Sequence, residues 1–411
     1  MDNSKPDTEA ATGQAFDRGE SFGCMEPMRI SSGSRHRAEL MDLVVDLAGT
    51  AAGFRRSLPE GIHVALADLV RAMNCYYSNL IEGHDTHPVD IERALKDDFS
   101  TDARRRNLQK EARAHIEIQG WIDTGALAER TVSKATILEM HDRFCRLLPD
   151  DLLWVKDPAS GDRTQITPGR LRDRDVQVGR HVAVSPGAVP RFLKRFEEAY
   201  GALGKTEQIL ATAAAHHRLL WIHPFLDGNG RVARLMSHAM LLQTLDSGGL
   251  WSVARGLARN ESTYKNHLAN CDLDRRNDLD GRGTLSEEAL VDFTRFFLDT
   301  CLDQVRFMDS LMQPSRLRHR ILQWAEEESR TSDLPPKART VLEAILYRGE
   351  LPRGEVPGLL DNSGRQARRV VSALVNRNVL TAISSRAPLR LNFPAHLAPR
   401  WTPGLFPEVR W

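Results

Sequence analysis

The stretch HPFLDGNGRVAR, residues 223–234, gathers residue types that could carry out phosphate chemistry. Gly228 and Gly230 would let the backbone approach a bulky anion without a clash from a Cβ atom. Arg231 and Arg234 stand three residues apart, so on a helix they would share one face and both could reach phosphate oxygens. These four residues predict an anion-binding site.

Other side chains of the same stretch could supply a metal ligand, a base and a further donor. A carboxylate such as Asp227 is favourable beside an anion only if a cation lies between them, and Mg²⁺ suits one carboxylate, phosphate oxygens and water. His223 could accept a proton from an incoming hydroxyl, and the Asn229 side chain could donate to the anion. The combination predicts a phosphoryl- or nucleotidyl-transfer site, and the absence of GxxxxGK[ST] argues against a Walker A loop.

Helices are predicted on both sides of these residues, which makes HPFLDGNG a helix–loop–helix junction. ATAAAHHRLLWI precedes the loop and RVARLMSHAMLLQTL follows it, and both favour helix. Pro224 and the two glycines are typical of a loop. The first amides of the second helix have no partner within the helix, and the helix dipole is positive at that end, so the junction favours phosphate.

Residues 223–234 resemble the signature of Fic-domain proteins, HPFx[D/E]GNGRxxR, at every specified position, and the resemblance covers roughly residues 65–310. It implies a protein adenylyltransferase, which moves AMP from ATP to a Ser, Thr or Tyr hydroxyl of a protein and releases pyrophosphate. It also implies that His223 is the general base and that Asp227 holds Mg²⁺. The residues implied to bind the nucleotide phosphates are Gly228, Asn229, Gly230, Arg231 and Arg234. Tyr264 is implied to stack on adenine, and a role in the core is the alternative.

A second stretch, SNLIEG at residues 78–83, ends an amphipathic helix predicted over residues 66–83. Glu82 would lie at the negative end of the helix dipole, so it needs a cationic partner. Ser78 and Glu82 resemble the inhibitory motif of the family, [S/T]xxxE[G/N]. The resemblance implies that Glu82 pairs with Arg234 and fills the space of the ATP γ-phosphate. The same glutamate could instead help to remove AMP from a modified protein, so both directions stay open.

Residues 151–190 interrupt the helical pattern with glycines, prolines and short β-branched runs. The runs VQV at 176–178 and VAV at 182–184 flank Gly179 and predict a β-hairpin. The segment at about 164–184 resembles the flap of Fic proteins, where an exposed edge could pair with an extended target segment. The alternative is an ordinary hairpin that covers the core.

The last part of the chain has a pattern of its own. Short helices are predicted at 338–346, 355–360 and 363–380, and residues 381–393 alternate like two strands, an order typical of a winged helix-turn-helix. Residues 363–407 contain seven arginines and no acid. The arginines at the front of the third helix could meet DNA: Arg365, Arg368 and Arg369. Protein docking or dimerisation is the alternative.

Composition excludes several classes of protein. Of the 411 residues, 41% are hydrophobic and 27% charged, and the net charge of +1 steers the whole molecule to no one kind of partner. The five cysteines form no CxxC pair, which is typical of reduced thiols in a cytoplasmic protein. The N-terminus lacks the apolar region of a signal peptide, and no run approaches 18 apolar residues, so we expect no membrane span.

We therefore predict a mainly α-helical protein with a Fic-type core, a small β-hairpin flap and a C-terminal winged helix-turn-helix. The predicted parts are a flexible N-terminus (1–36), an N-terminal helical region with the inhibitory helix (37–103), the Fic core (104–312), a linker helix (313–336) and the winged helix (337–400). The predicted function is an adenylyltransferase that uses ATP and Mg²⁺, is inhibited through Glu82, acts on target proteins including itself, and by resemblance forms a homodimer. The alternatives are a de-AMPylase and a DNA-binding regulator with an ATP-sensing core, and UTP as donor stays open.

Overall fold

The structure is a computed structural model, and it describes residues 15–128, 130–156, 161–361 and 364–407. Helices dominate the described residues, so the predicted mainly α fold is confirmed. In chain order the helices α1–α16 are Arg37–Ser57, Glu60–Ile81, Pro88–Ala94, Ala103–Asp123, Lys134–Arg146, Val189–Tyr200, Lys205–Ile222, Asn229–Thr244, Val253–Arg259, Glu261–Asn270, Glu287–Met312, Pro314–Thr331, Ala338–Arg348, Val356–Leu359, Gly364–Asn376 and Ala398–Trp401.

Seven short strands in the described residues form three small antiparallel sheets. In chain order β1–β7 are Trp154–Lys156, Arg163–Gln165, Gln177–Val178, His181–Val182, Glu350–Leu351, Leu380–Thr381 and Leu389–Leu391. β1 pairs with β2 and β3 pairs with β4, while the third sheet has the order β5-β7-β6. The predicted hairpin around Gly179 is thus present as β3–β4, and β1–β2 is a second hairpin that the sequence pattern did not reveal.

The antiparallel pair α7 and α8 lies at the centre of the protein. Helices α1, α6 and α11 pack on α7, and helices α2, α4 and α5 pack on α8. Both central helices are buried on several sides, as the near-complete burial of His216, Leu219 and Arg234 illustrates. The loop between them therefore lies among closely packed helices.

Helix α2 is longer than predicted, because it begins at Glu60 instead of residue 66. Pro59 has extended backbone angles, and Ile62 and Ala65 in the added turns face the core, so the apolar stripe starts one turn and a half earlier. Its C-terminal end agrees with the sequence, since Gly83 adopts a φ of 82° that favours glycine.

The N-terminal segment contributes to the core. Residues 1–14 lie outside the described residues, whereas parts of residues 15–36 are buried against the rest of the protein. Met25 and Met28 are buried in the core. The main chain of Gly23 and of Glu26 accepts hydrogen bonds from the amides of Thr284 and Leu285, at 3.1 and 2.9 Å. A few buried apolar residues therefore anchor this mostly polar segment to the core.

The C-terminal unit contains the three predicted helices as α13, α14 and α15 and the two predicted strands as β6 and β7, and it adds β5, which was predicted as a turn. Helix α12, predicted as a linker, instead joins its core: Trp324 is buried and packs edge-on against Trp401, with ring centroids 5.2 Å apart. The name winged helix and a role in binding DNA stay predictions. Within the described residues, no helix combines the length and apolar character needed to cross a membrane.

Candidate active site

The predicted helix–loop–helix junction is present. Helix α7 ends at Ile222, and His223 follows it in a left-handed conformation with φ 50° and ψ 63°. Helix α8 begins at Asn229, directly after Gly228, whose φ of 81° favours glycine. The first-turn amides of α8 have no intrahelical carbonyl to bind, so they point at the loop with the positive end of the helix dipole.

The loop is held from below by an aromatic stack and by a side-chain clamp. Phe225 is fully buried and stacks on His141, with ring centroids 3.8 Å apart and planes inclined by 2°. His141 also accepts a hydrogen bond from the amide of Gly169 at 3.0 Å. Asn229 accepts from the Phe225 amide at 3.0 Å and donates to the Phe225 carbonyl at 2.9 Å. The Asn229 side chain therefore braces the loop in this structure, and its donation to an anion stays a prediction.

His223 lies at the edge of the loop with a partly buried side chain. Burial lowers its pKa to about 4, and the positive charge of Arg172 acts in the same direction. The imidazole is consequently neutral near pH 7, which is the state that accepts a proton. Arg172 donates to the His223 carbonyl at 2.7 Å and was missed by the sequence reasoning, because nothing distinguishes it among the arginines of RLRDRD.

Arg234 is buried and engaged by the end of helix α2. Its guanidinium donates to Ser78 Oγ at 2.8 Å and to the Ser78 carbonyl at 3.1 Å, and it forms an ion pair with Glu82. Burial alone would raise the pKa of Glu82, but the charges of Arg234 and Arg231 lower it, so the carboxylate is ionised. A Cβ atom on Gly230 would collide with Glu82 Oε1, so a larger residue there would require the end of the Glu82 side chain to shift.

Arg231 has a carboxylate partner of its own, which the sequence reasoning also missed. Arg231 is 6% exposed and forms an ion pair with Glu111 of α4, which is itself buried. Glu111 also binds His84 Nδ1 at 2.7 Å, and this hydrogen bond raises the pKa of His84. Both arginines of the motif are therefore paired with carboxylates. Nothing in the sequence indicated the pair between Glu111 and Arg231, because the two residues lie 120 positions apart in the chain.

Asp227 is the exposed carboxylate of the loop, with 56% of its side chain accessible and Arg231 Nη1 4.0 Å away. The described residues contain no group of three or more His, Cys, Asp or Glu side chains arranged to hold a metal ion. A single exposed carboxylate beside an anion site suits Mg²⁺, because this ion keeps several waters and is commonly held by one or two carboxylates and substrate phosphates.

Tyr264 is a core residue, so the alternative reading of the sequence is the one the structure supports. It is 2% exposed, and burial raises its pKa to about 12. Its hydroxyl lies 2.7 Å from His216 Nε2, while His216 Nδ1 lies 2.9 Å from Ser237 Oγ. Stacking on adenine would require this buried ring to become accessible, and it stays a prediction.

These features define a class of site. A neutral imidazole, an exposed carboxylate and two buried arginines surround the N-terminus of one central helix, an arrangement suited to a polyphosphate. Residues 131–241 match the model of the Fic/DOC family. This segment of the chain therefore resembles a Fic/DOC domain, and the predicted resemblance to Fic-domain proteins is confirmed for it.

Known relatives agree with this assignment. The chain is 27% identical over 197 residues to a protein named Protein adenylyltransferase Fic from Drosophila grimshawi, which covers 46% of this chain and 38% of that one. A protein of the same name from Drosophila mojavensis is 25% identical over 214 residues, covering 50% and 40%. The chain thus spans well under half the length of these relatives. A Fic family protein from Desulfovibrio desulfuricans G20 shares the fold with a TM-score of 0.53 at 16% identity, covering 89% of this chain and 98% of that one.

Proposed function

We propose that this chain is a protein adenylyltransferase that transfers AMP from ATP to a Ser, Thr or Tyr hydroxyl of a protein. The observation that carries the proposal is the position of His223 on the loop before α8, whose first two turns carry two buried arginines. The names of the relatives, Protein adenylyltransferase Fic, support the same activity.

The residues suggest how the transfer proceeds. Neutral His223 accepts the proton of the target hydroxyl, and the resulting oxygen attacks the α-phosphorus of ATP. The bond between the α-phosphorus and the oxygen that bridges to the β-phosphorus breaks, and pyrophosphate leaves with the bond's electron pair. The amides of Gly228 to Gly230 stabilise the charge that develops on the phosphate oxygens, and Arg231 and Arg234 bind the distal phosphates.

Mg²⁺ fits the residues of the loop, and Asp227 is the side chain that would hold it together with the phosphates. When bound, the ion neutralises charge on the phosphates. The Asp227 carboxylate would then orient the polyphosphate against the amides of α8. The role of Asp227 is testable through the Mg²⁺ dependence of ATP binding, which Asp227→Asn should weaken.

We further propose that Glu82 inhibits the site. Arg234 cannot hold Glu82 and the γ-phosphate at once, and the two anions would repel each other. The ion pair between Glu82 and Arg234 and the two bonds from Arg234 to Ser78 support this proposal. Release requires only the end of α2 to move, since Glu82 is the residue that follows its last turn.

Mass spectrometry of the intact protein after incubation with Mg²⁺ and ATP tests the activity and its inhibition together. Wild type should gain little mass, Glu82→Gly should gain one or more AMP units, and Glu82→Gly with His223→Ala should gain none. Equal labelling of wild type and Glu82→Gly would remove the inhibitory role of Glu82. Release of AMP from a pre-labelled protein by wild type would favour the de-AMPylase, and parallel reactions with UTP would identify the donor.

The β3–β4 hairpin is our candidate for the surface that binds the target protein. Val178 and Val182 on it are 49% and 60% exposed, so it offers an apolar edge to an extended segment. His181 on the same hairpin lies 2.7 Å from the Trp221 carbonyl, which fixes the hairpin near the end of α7. Val178→Asp should lower the transfer to a target without changing ATP binding.

A second candidate function, binding of DNA, is favoured by helix α15. Arg365, Arg368 and Arg369 are exposed on its first turns, and no acidic residue follows in the chain to residue 407. Arg365→Gln with Arg368→Gln should weaken binding to a DNA duplex and lower the salt slope by about two, as fluorescence anisotropy would measure. The matched control removes two arginines of α4, Arg104 and Arg106. Equal affinities of both variants would rule out this surface. The homodimer stays a prediction.

A further inference from the structure

Arg172 is a buried cation at the base of the flap, in the segment between β2 and β3. It is 2% exposed, and its guanidinium donates to main-chain carbonyls of two separate segments. One set belongs to the flap, the carbonyls of Arg174 at 2.8 Å and of Val184. The other set is at the end of α7, the carbonyls of His223 at 2.7 Å and of Ile222 at 3.4 Å.

The main chain of Arg172 extends the same contact. Its amide donates to the Pro224 carbonyl at 3.0 Å, so Arg172 binds three consecutive carbonyls, those of residues 222–224. No carboxylate of the described residues forms an ion pair with Arg172, and Asp175 and Glu20 act on it only at longer range. The positive charge is therefore held by carbonyl dipoles and by the negative end of α7.

These bonds act on the one residue of the loop whose backbone is strained. His223 has left-handed backbone angles, which a residue with a Cβ atom adopts only when the surroundings hold it there. The direction of its side chain depends on those angles, so the bonds from Arg172 fix where the imidazole points. The charge of Arg172 also contributes, after burial, to the lowered pKa of His223, which agrees with the proximity of the two groups.

We propose that Arg172 is a positioning residue, which joins the flap to the His223 loop so that the base is correctly aimed only when the flap is in place. The proposal rests on the proposed adenylyltransferase function, because it concerns the orientation of His223 as the base of that reaction. In this proposal Arg172 does not contact the nucleotide. Binding of ATP should therefore be independent of Arg172, while the rate of transfer should depend on it.

The test compares Arg172→Gln and Arg172→Lys in the Glu82→Gly protein, with Arg174→Gln as the matched control. Arg174 is two residues away, has 53% of its side chain exposed and donates to Thr164 Oγ1 at 2.7 Å. Arg172→Gln should lower kcat for AMP transfer by about 100-fold, since a small displacement of a reacting group has effects of this size. The dissociation constant for ATP should change by less than about threefold, because the phosphates bind elsewhere on the loop. Arg172→Lys, which keeps the charge and one donor, should recover part of kcat, and Arg174→Gln should retain it.

A second measurement does not depend on the transfer reaction. Carbethoxylation of individual histidines by diethyl pyrocarbonate, followed by mass spectrometry, should become several-fold faster at His223 in Arg172→Gln. His396, which is exposed and remote, serves as the internal reference. If Arg172→Gln unfolds, Arg172→Lys carries the comparison for both measurements.

The outcomes separate this proposal from the proposed function. Unchanged kcat, or an equal loss of ATP binding and kcat, would overturn the positioning role. If the Glu82→Gly protein transfers no AMP at all, the proposed function fails. In that case the carbethoxylation rates decide alone whether Arg172 holds His223, and equal rates in Arg172→Gln and Arg174→Gln would refute it.

Discussion

Replacement of Glu82 by glutamine is the most direct test of the competition between a carboxylate and a phosphate for one arginine. The change keeps the size of the side chain and removes its charge. Only 3% of the Arg234 side chain is exposed, so water can solvate its guanidinium very little when neither Glu82 nor a ligand is bound to it. Under the proposed inhibition, ATP displaces Glu82 from this arginine before its γ-phosphate binds there.

The size of the effect follows from that exchange. Hydrogen bonds to charged groups contribute about 1.5–3 kcal/mol, and 1.4 kcal/mol corresponds to a factor of ten in affinity. The full range would therefore be roughly 10- to 100-fold. Because 29% of the Glu82 side chain is exposed, solvent weakens the pair, and we expect the lower end, about a tenfold tighter dissociation constant for ATP.

Isothermal titration calorimetry with Mg²⁺ and ATP measures this change. The titrations use the His223→Ala protein so that no turnover occurs. Glu117→Gln is the matched control, since Glu117 is an exposed glutamate that pairs with Arg113 away from the site. The tightening should shrink as salt is added, because solvent-exposed charges are screened. If Glu82→Gln and Glu117→Gln bind ATP with the affinity of the parent, the carboxylate does not compete with the nucleotide and the reasoning fails.

Three predictions concern the stability of the parts around the site. Gly187→Ala should release the N-terminal segment, because a Cβ atom would collide with the main chain of residues 15–17 and break the 2.9 Å hydrogen bond from the Gly187 amide to the Phe16 carbonyl. Trypsin should then cleave the segment faster than in the control Gly204→Ala, where a Cβ atom meets no neighbour. Tyr77→Phe should lower the free energy of unfolding by about 1 kcal/mol in urea, because the hydroxyl donates to a C-terminal carbonyl at 2.9 Å, and an unchanged value would contradict this. Burial lowers the pKa of His216 to about 3, below its value of about 6.5 in an unfolded chain, so the unfolded state binds a proton first as pH falls. The free energy of unfolding should therefore fall between pH 6.5 and 4, by about 1 kcal/mol per pH unit for this histidine, and His216→Gln should show a shallower slope.

The motif at 223–234 could be interpreted from the sequence because its chemistry is local. The glycines, the proline and the two flanking apolar patterns define a loop between helices by short-range rules, and the arginines fall on the first two turns of the second helix for the same reason. The family and the mainly α fold followed from these twelve residues and from helical periodicity. The end of α2 just before Gly83 was also local, since a glycine with positive φ favours the C-terminal end of a helix.

Only the tertiary structure decided which groups oppose the motif. Glu111, His141 and Arg172 lie on three other elements, and nothing near them in sequence indicates that they meet the loop. The same holds for the surroundings of two predicted site residues. Asn229 binds Phe225 and Tyr264 lies in the core because of how helices pack, and side-chain type alone cannot distinguish a free donor or ring from one already engaged. Residue type and spacing determined the chemistry that this chain can offer, whereas long-range packing determined which of those groups are available, because a hydrogen bond or ion pair depends on distance in space and not along the chain.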